Sequence, residues 1–94
     1  MKIRFRTQDT RRSWARKLNA LFKPLNLAAA KLPFREVPDT WYQWERELES
    51  VRRALSATYN LKGVGHFDVA FTRQMWARNL NRLSAAIEAG PVTP

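Results

Sequence analysis

The chain has 94 residues, of which 45% are hydrophobic and 12% are aromatic, and it carries a net charge of +9. This length suits one small domain with one core, and the hydrophobic and aromatic content favours a folded chain over a disordered one. The lack of cysteine excludes disulfides, thiol catalysis and cysteine-ligated metals, and no apolar run approaches the ~20 residues that cross a bilayer.

The positive charge is concentrated in the N-terminal third of the chain. Residues 1–35 contain ten Lys and Arg but one acidic residue, Asp9, whereas residues 36–94 contain seven residues of each sign. Such an asymmetry is typical of proteins with an acidic partner, nucleic acid above all, and improved solubility is the competing explanation. We therefore expect a single domain with a basic part, 1–35, and a charge-neutral part, 36–94.

The first predicted element is a short strand. In residues 2–6, KIRFR, the apolar Ile3 and Phe5 alternate with basic side chains, which is the period of a half-buried strand. The other strand-like stretch is 32–37, LPFREV, and pairing the two would give a two-stranded ribbon that needs helices to pack on. As an alternative, the first strand could add to the edge of a sheet in another protein.

A basic amphipathic helix is predicted near residues 10–23. Asp9 or Thr10 is a suitable N-cap, and Pro24 ends the helix and begins a short extra helix over 25–32. One face is apolar and the opposite face is basic. The apolar stripe consists of Trp14, Leu18, Leu21 and Phe22, and the basic face of Arg12, Arg16 and Lys23, with Lys17 beside them.

Two membrane-related interpretations of this segment are disfavoured. A helix that is apolar on one side and basic on the other can lie on a membrane surface. An Arg-rich, acid-poor and amphipathic N-terminus is also typical of a mitochondrial transit peptide. However, Trp14 and Phe22 are needed in the core, and serine occurs once in residues 1–31. We expect no membrane partner.

The clearest helical period lies near residues 39–60. Its apolar residues are spaced three, four, three and four residues apart, which places them on one stripe. Asp39 or Thr40 is the expected N-cap, and Gly63 suits the left-handed position after the helix end. The stripe consists of Trp41, Trp44, Leu48, Val51 and Leu55.

The acidic residues of this central helix are interpreted as a solvated face. Glu45, Glu47 and Glu49 alternate with other residues in one run, and Glu49 and Arg53 are spaced for an ion pair. This arrangement is unlike a pair of carboxylates in a catalytic cleft.

The last helix is predicted near residues 68–89, from Asp68 as N-cap to the stop signal Gly90-Pro91. Phe71, Met75, Arg78 and Arg82 fall outside the main apolar stripe of this helix and form a second face. This face can be buried inside the domain, can pack on the N-terminal ribbon, or can bind a protein partner, since Arg, Met and aromatic residues are favoured at interfaces. The main apolar stripe consists of Val69, Thr72, Trp76, Leu80, Leu83 and Ile87, and the second face of Phe71, Met75, Arg78 and Arg82.

The predicted fold is mainly α, with three principal helices, a short extra helix and, if 2–6 and 32–37 pair, a two-stranded ribbon. Each principal helix supplies large rings, so we expect the four tryptophans to meet in one core. The expected core contains Trp14, Trp41, Trp44, Trp76, Leu18, Leu21, Leu48, Val51, Leu55, Leu80, Leu83 and Ile87.

The sequence carries no recognisable catalytic motif. His66 is the one histidine, and the carboxylates near it lack the spacing of a metal site. No serine lies in a nucleophile signature. We therefore predict a non-enzyme without metal or cofactor.

The favoured function is binding of nucleic acid, or of a nucleoprotein complex, through the N-terminal basic residues. Lysines and arginines neutralise phosphates, and no zinc finger, RNA-recognition or GXXG signature is present to read bases. A helix-turn-helix is disfavoured because residues 25–32 are too apolar to read a groove. We expect a cytoplasmic protein. The candidate contact residues are Lys2, Arg4, Arg6, Arg11, Arg12, Arg16, Lys17 and Lys23.

The alternative function is inhibition by protein–protein binding. A short chain without catalytic residues could occupy an acidic surface on a host or defence complex, as an anti-CRISPR-type inhibitor from a phage or mobile element does. The candidate contact residues are then Phe71, Met75, Arg78 and Arg82. The oligomeric state is not determined by any of these features.

Overall fold

A computed structural model describes residues 3–25 and 40–92 of the chain. These residues form three α-helices, and the prediction of a mainly helical fold with three principal helices is confirmed. No helix in these two ranges is long and apolar enough to cross a membrane. The helices are α1 (Arg11–Phe22), α2 (Trp41–Leu55) and α3 (Arg73–Glu88), and a single 3-10 turn at Lys23–Leu25 follows α1.

The predicted ribbon and extra helix are not found in the described part of the chain. Residues 3–6 are extended but form no strand, and no β-strand occurs in 3–25 or 40–92. The proposed partner strand, 32–37, lies outside the described residues, as does most of the extra helix predicted over 25–32. Pro24 lies within the 3-10 turn that follows α1.

Both later helices are shorter than the apolar periodicity predicts. Helix α2 ends at Leu55 rather than near residue 60, and Gly63 does not adopt the left-handed conformation predicted for it. Helix α3 begins at Arg73 rather than near 68, because Asp68 caps a separate turn in which its Oδ1 accepts a hydrogen bond from the Ala70 amide at 2.9 Å. The left-handed glycine is Gly90, directly after α3, with a φ of 91°.

The first turns of the three helices share one local pattern, a threonine N-cap followed four residues later by tryptophan. The hydroxyl groups of Thr10, Thr40 and Thr72 accept hydrogen bonds from the third amide of their helices, at 3.1, 3.3 and 3.2 Å. Each threonine carbonyl accepts the first helical hydrogen bond, whose donor is the tryptophan amide. Because the cap fixes where each helix begins, it also fixes the direction of the tryptophan side chain.

The four tryptophans meet in one cluster, as predicted. Trp14 is 6.4 Å from Trp44 between ring centroids, and Trp41 is 5.9 Å from Trp14 and 5.0 Å from Trp76. Phe67 stacks on Trp76, with 5.4 Å between ring centroids. Trp14, Trp44 and Trp76 are buried, whereas Trp41 is half-buried. The cluster therefore joins the first turns of all three helices.

The core extends beyond the helices. The predicted leucines and Val51 are buried, and Ile87 is half-buried. Four further buried residues come from extended chain and turns, where the helical period gives no signal. They are Phe5, Leu61, Val64 and Phe67.

Truncation of Trp76 should remove most of the stability of the domain. Trp76 has no exposed surface and contacts rings from α2 and from the turn before α3. We expect Trp76→Ala to lower the free energy of unfolding by about 3–5 kcal/mol, measured by urea denaturation. The control is Val69→Ala, because Val69 is 43% exposed and its truncation should change stability by about 0.5 kcal/mol or less. Equal effects of the two substitutions would contradict the core assignment.

Candidate functional site

The N-terminal segment, residues 3–6, is held against α3 by a side-chain amide. The Asn81 Oδ1 accepts a hydrogen bond from the Phe5 amide at 2.7 Å, and the Asn81 Nδ2 donates to the Phe5 carbonyl at 2.9 Å. The Ser84 hydroxyl donates to the Ile3 carbonyl at 3.0 Å. Phe5 is buried in the core, so the Arg4 and Arg6 side chains on either side of it face solvent.

The other edge of this segment is bound by α1. The Lys17 Nζ donates to the Arg4 carbonyl at 2.6 Å, and the Trp14 Nε1 donates to the Arg6 carbonyl at 2.9 Å. All four carbonyl groups of residues 3–6 therefore have hydrogen-bond partners within the domain. This conformation disfavours the alternative that the segment adds to the edge of another protein's sheet.

An open groove of about 630 Å³ lies between the N-terminal segment and α1. We call it the basic groove, because three arginines and one lysine line it and its one acidic residue is paired. Its cationic lining residues are Arg4, Arg6, Arg16 and Lys17, and its other lining residues are Ile3, Asp9, Ser13 and Ala20.

Lys17 and Asp9 form an ion pair inside the basic groove, with 2.7 Å between Nζ and Oδ2. This hydrogen bond from Lys17, together with the charge of the ammonium group, lowers the pKa of Asp9 below its ordinary value. Because Lys17 also donates to the Arg4 carbonyl, it fixes the N-terminal segment to α1. The outward-facing charge of the groove comes from Arg4, Arg6 and Arg16.

Arg11 has a structural contact rather than a place in the groove. Its guanidinium carbon lies 4.8 Å from the centroid of the Trp41 ring, a cation–π distance. The side chains of Arg12 on α1 and Lys23 in the following 3-10 turn are exposed but do not line the basic groove. Lys2 lies outside the described residues.

Arg73 connects the tryptophan cluster to the chain before α1, and sequence reasoning missed it. Its guanidinium group lies 4.9 Å from the Trp14 ring centroid and donates to the Thr7 carbonyl at 3.1 Å and to the Asp9 carbonyl. Asn81 was missed as well, because a polar residue between the apolar positions of a helix is normally expected to face solvent. Neither residue carries a local sequence signal of its role.

The second candidate face forms a separate groove of about 310 Å³, which we call the α3 groove. The structure brings together all four residues that the sequence placed on this face. Phe71 is half-buried and forms a T-shaped ring contact with Trp76, with 6.1 Å between centroids, whereas Met75 is 43% exposed. The groove is lined by Gly65, His66, Asp68, Phe71, Met75, Arg78, Asn79 and Arg82. None of its lining residues belongs to the N-terminal segment 3–6, and the other strand of the predicted ribbon, 32–37, lies outside the described residues.

The opposite wall of the α3 groove is the 65–68 loop, which is fixed by side chains of two helices. The Asn79 amide accepts from the Gly65 N–H at 2.9 Å and donates to the Gly65 carbonyl at 2.8 Å. The Glu49 carboxylate accepts from the Phe67 amide at 2.6 Å and contacts the His66 Nδ1 at 3.1 Å. The loop therefore has one attachment to α3 and another to α2.

Two of the three glutamates in the acidic run of α2 are thus bonded to the chain before α3, whereas Glu47 makes no hydrogen bond or ion pair among the described residues. Glu49 holds the loop and lies 3.9 Å from Arg52, not paired with Arg53 as its spacing suggests, and Glu45 accepts a hydrogen bond from the Val69 amide at 3.0 Å. Burial alone would raise the pKa of Glu49. The hydrogen bonds from Phe67 and His66 and the nearby charges outweigh burial, so this pKa is lowered.

Comparison with known proteins gives no relative that would assign either groove. No family model, curated protein or solved structure matches the chain. Within residues 3–25 and 40–92, no cluster of three or more acidic or histidine side chains could hold a metal ion. The geometry of the two grooves therefore carries the functional argument.

Removing the Asn81 amide should release the N-terminal segment. We expect Asn81→Ala to lower the free energy of unfolding by about 2 kcal/mol, because the part-buried Phe5 amide and carbonyl lose their partners. Hydrogen exchange of the Phe5 amide should also accelerate. The control is Gln74→Ala, which removes an exposed amide from the same helix. If Asn81→Ala left both measurements at the control values, the segment would be held by other contacts.

Replacement of Glu49 should cost stability in a pH-dependent way. We expect Glu49→Gln to destabilise the protein by about 1–2 kcal/mol at neutral pH, because a charged hydrogen-bond acceptor is lost. Since the folded-state pKa of Glu49 lies below its ordinary 4.5, its stabilisation is complete above that value and is lost as pH falls through the lowered pKa. The difference between wild type and variant in thermal unfolding should therefore shrink in acid.

The matched control for this prediction is Glu47→Gln. Glu47 lies on the same helix, and among the described residues it makes no hydrogen bond or ion pair. A pH-independent difference for Glu49→Gln, or an equal effect of Glu47→Gln, would contradict the proposed attachment of the loop.

Proposed function

We propose that the protein is a small non-catalytic module that binds the phosphate backbone of nucleic acid in the basic groove. The observation that carries this proposal is the convergence of Arg4, Arg6 and Arg16 on one open groove, where Lys17 pairs with Asp9. The groove therefore presents an excess of guanidinium groups, which bind phosphate oxygens through paired N–H donors.

The rigidity of the groove supports the proposal. Two of its arginines extend from a segment whose carbonyls are all bound to α1 or α3, and the third extends from α1 itself. Fixed positions reduce the entropy that the protein loses on binding. Contacts to phosphate carry no sequence information, so we propose that binding is independent of nucleotide sequence.

The test is a salt titration of binding to mixed-sequence duplex DNA, single-stranded DNA and RNA. The logarithm of the affinity should fall linearly with the logarithm of salt concentration, with a slope of about 0.9 for each phosphate neutralised on duplex DNA. Replacing Arg4, Arg6 and Arg16 together by Gln should reduce this slope by about three units and weaken binding at low salt.

The control is Arg53→Gln, an exposed arginine on α2 that does not line the basic groove. It should leave the slope unchanged, because an arginine that contacts no phosphate does not contribute to it. Absence of binding at low salt to all three nucleic acids would refute the proposal. A triple variant with the slope of the wild type would place the contacts elsewhere on the protein.

A second candidate function is inhibition of another protein, of the kind expected of a phage or mobile-element inhibitor. The observation that favours it is the exposure of Met75 beside Phe71 in the α3 groove. A flexible thioether next to an aromatic ring and arginines is typical of a protein-binding surface. This function uses a different groove, so the two candidates can be tested separately.

A further inference from the structure

The α3 groove combines an apolar floor with a cationic rim. Phe71 and Met75 supply apolar surface, and the exposed side chains of Arg78 and Arg82 lie beside them on α3. Residues one turn apart on a helix lie on the same face, which places Met75, Arg78 and Arg82 together. A bound group would therefore meet apolar surface and positive charge at once.

The polar side chains of the loop wall are already engaged. Asn79 uses its amide on the Gly65 backbone, and Asp68, the acidic residue of the groove, accepts a hydrogen bond from the Ala70 amide through Oδ1. The His66 ring contacts Glu49 on α2. Asp68 keeps its negative charge, but the two arginines outnumber it, so the groove presents net positive charge to a ligand.

We infer that the α3 groove binds an acidic peptide segment that carries one apolar side chain. The apolar side chain would cover Met75 and Phe71, and carboxylates on either side of it would pair with Arg78 and Arg82. This inference rests on the second candidate function, for which it names the chemistry of the partner, and it does not depend on nucleic-acid binding in the basic groove.

The composition of the floor favours a peptide over nucleic acid as the occupant. Single-stranded nucleic acid is commonly bound by stacking of bases on exposed aromatic faces. Here the ring of Phe71 is half-buried and packed against Trp76, and the exposed part of the floor is the flexible side chain of Met75. A methionine side chain adapts its shape to an aliphatic or aromatic group from a protein.

The direct test uses a short fluorescein-labelled peptide with one leucine flanked on both sides by glutamates. Two control peptides are measured beside it, one with serine in place of leucine and one with lysines in place of the glutamates. Fluorescence anisotropy with the full chain should show binding of the first peptide, about tenfold weaker binding of the serine peptide, and no binding of the lysine peptide.

Variants locate the binding on the protein. Met75→Ser should weaken binding of the leucine peptide about tenfold and leave the serine peptide unaffected. Arg78→Gln combined with Arg82→Gln should weaken binding of both acidic peptides about fivefold, in a salt-dependent way. Gln74→Ser is the control, since Gln74 is exposed on the same turn but does not line the groove.

A spectroscopic readout reports the site without any substitution. The chain contains two methionines, Met1 and Met75, so isotope labelling of methionine methyl groups gives at most two signals. The Met75 signal should shift on addition of the leucine peptide and should not shift on addition of duplex or single-stranded DNA. Far-ultraviolet circular dichroism of each variant should match that of the wild type, because the changed side chains are exposed.

Three results would overturn the inference. Equal affinity for the leucine and serine peptides would mean that the apolar floor is not used. A Met75 signal that does not shift on addition of the leucine peptide would mean that the peptide binds elsewhere. A Met75 signal that shifts on addition of DNA instead would assign the groove to nucleic acid. None of these results bears on the basic groove. Its function is tested separately, by the effect on DNA binding of replacing Arg4, Arg6 and Arg16.

Discussion

Asn79 and Asn81 of α3 each use both polar atoms of one side-chain amide to bind the backbone of an extended segment. Asn79 pairs with Gly65, and Asn81 pairs with Phe5. A side-chain amide has N–H donors and a carbonyl acceptor, as a peptide group does, so it can bond to both backbone groups of one residue as a neighbouring strand would. Because residues two positions apart lie about 200° from each other around a helix, the two amides attach segments to opposite sides of α3.

Both candidate grooves depend on these attachments. The segment bound by Asn81 carries Arg4 and Arg6 into the basic groove, and the loop bound by Asn79 forms a wall of the α3 groove. The second attachment of each segment comes from a different helix, through Lys17 of α1 and Glu49 of α2. Each groove is therefore formed by extended chain fixed between two helices, so its shape is determined by tertiary contacts rather than by a local turn.

The sequence predicts the helices well because their stripes of leucine and tryptophan follow the helical period. It predicts their ends poorly: residues 56–60 lie beyond the end of α2, and Val69 and Thr72, which share the apolar spacing of α3, precede its first residue. It places Phe71, Met75, Arg78 and Arg82 on one face, as the structure does. It could not distinguish Lys17, Glu49 and Asn81 from solvated residues, since their roles depend on partners far away along the chain.

The net charge overstates the number of cations that can contact a ligand. Arg11 and Arg73 occupy the first positions of α1 and α3, where the helix dipole disfavours positive charge. Both are stabilised there by the faces of tryptophan rings. Lys17 is likewise engaged, by Asp9 and a carbonyl. Part of the basic character of the chain therefore belongs to its tertiary structure, whereas Arg4, Arg6 and Arg16 remain exposed cations that line the basic groove.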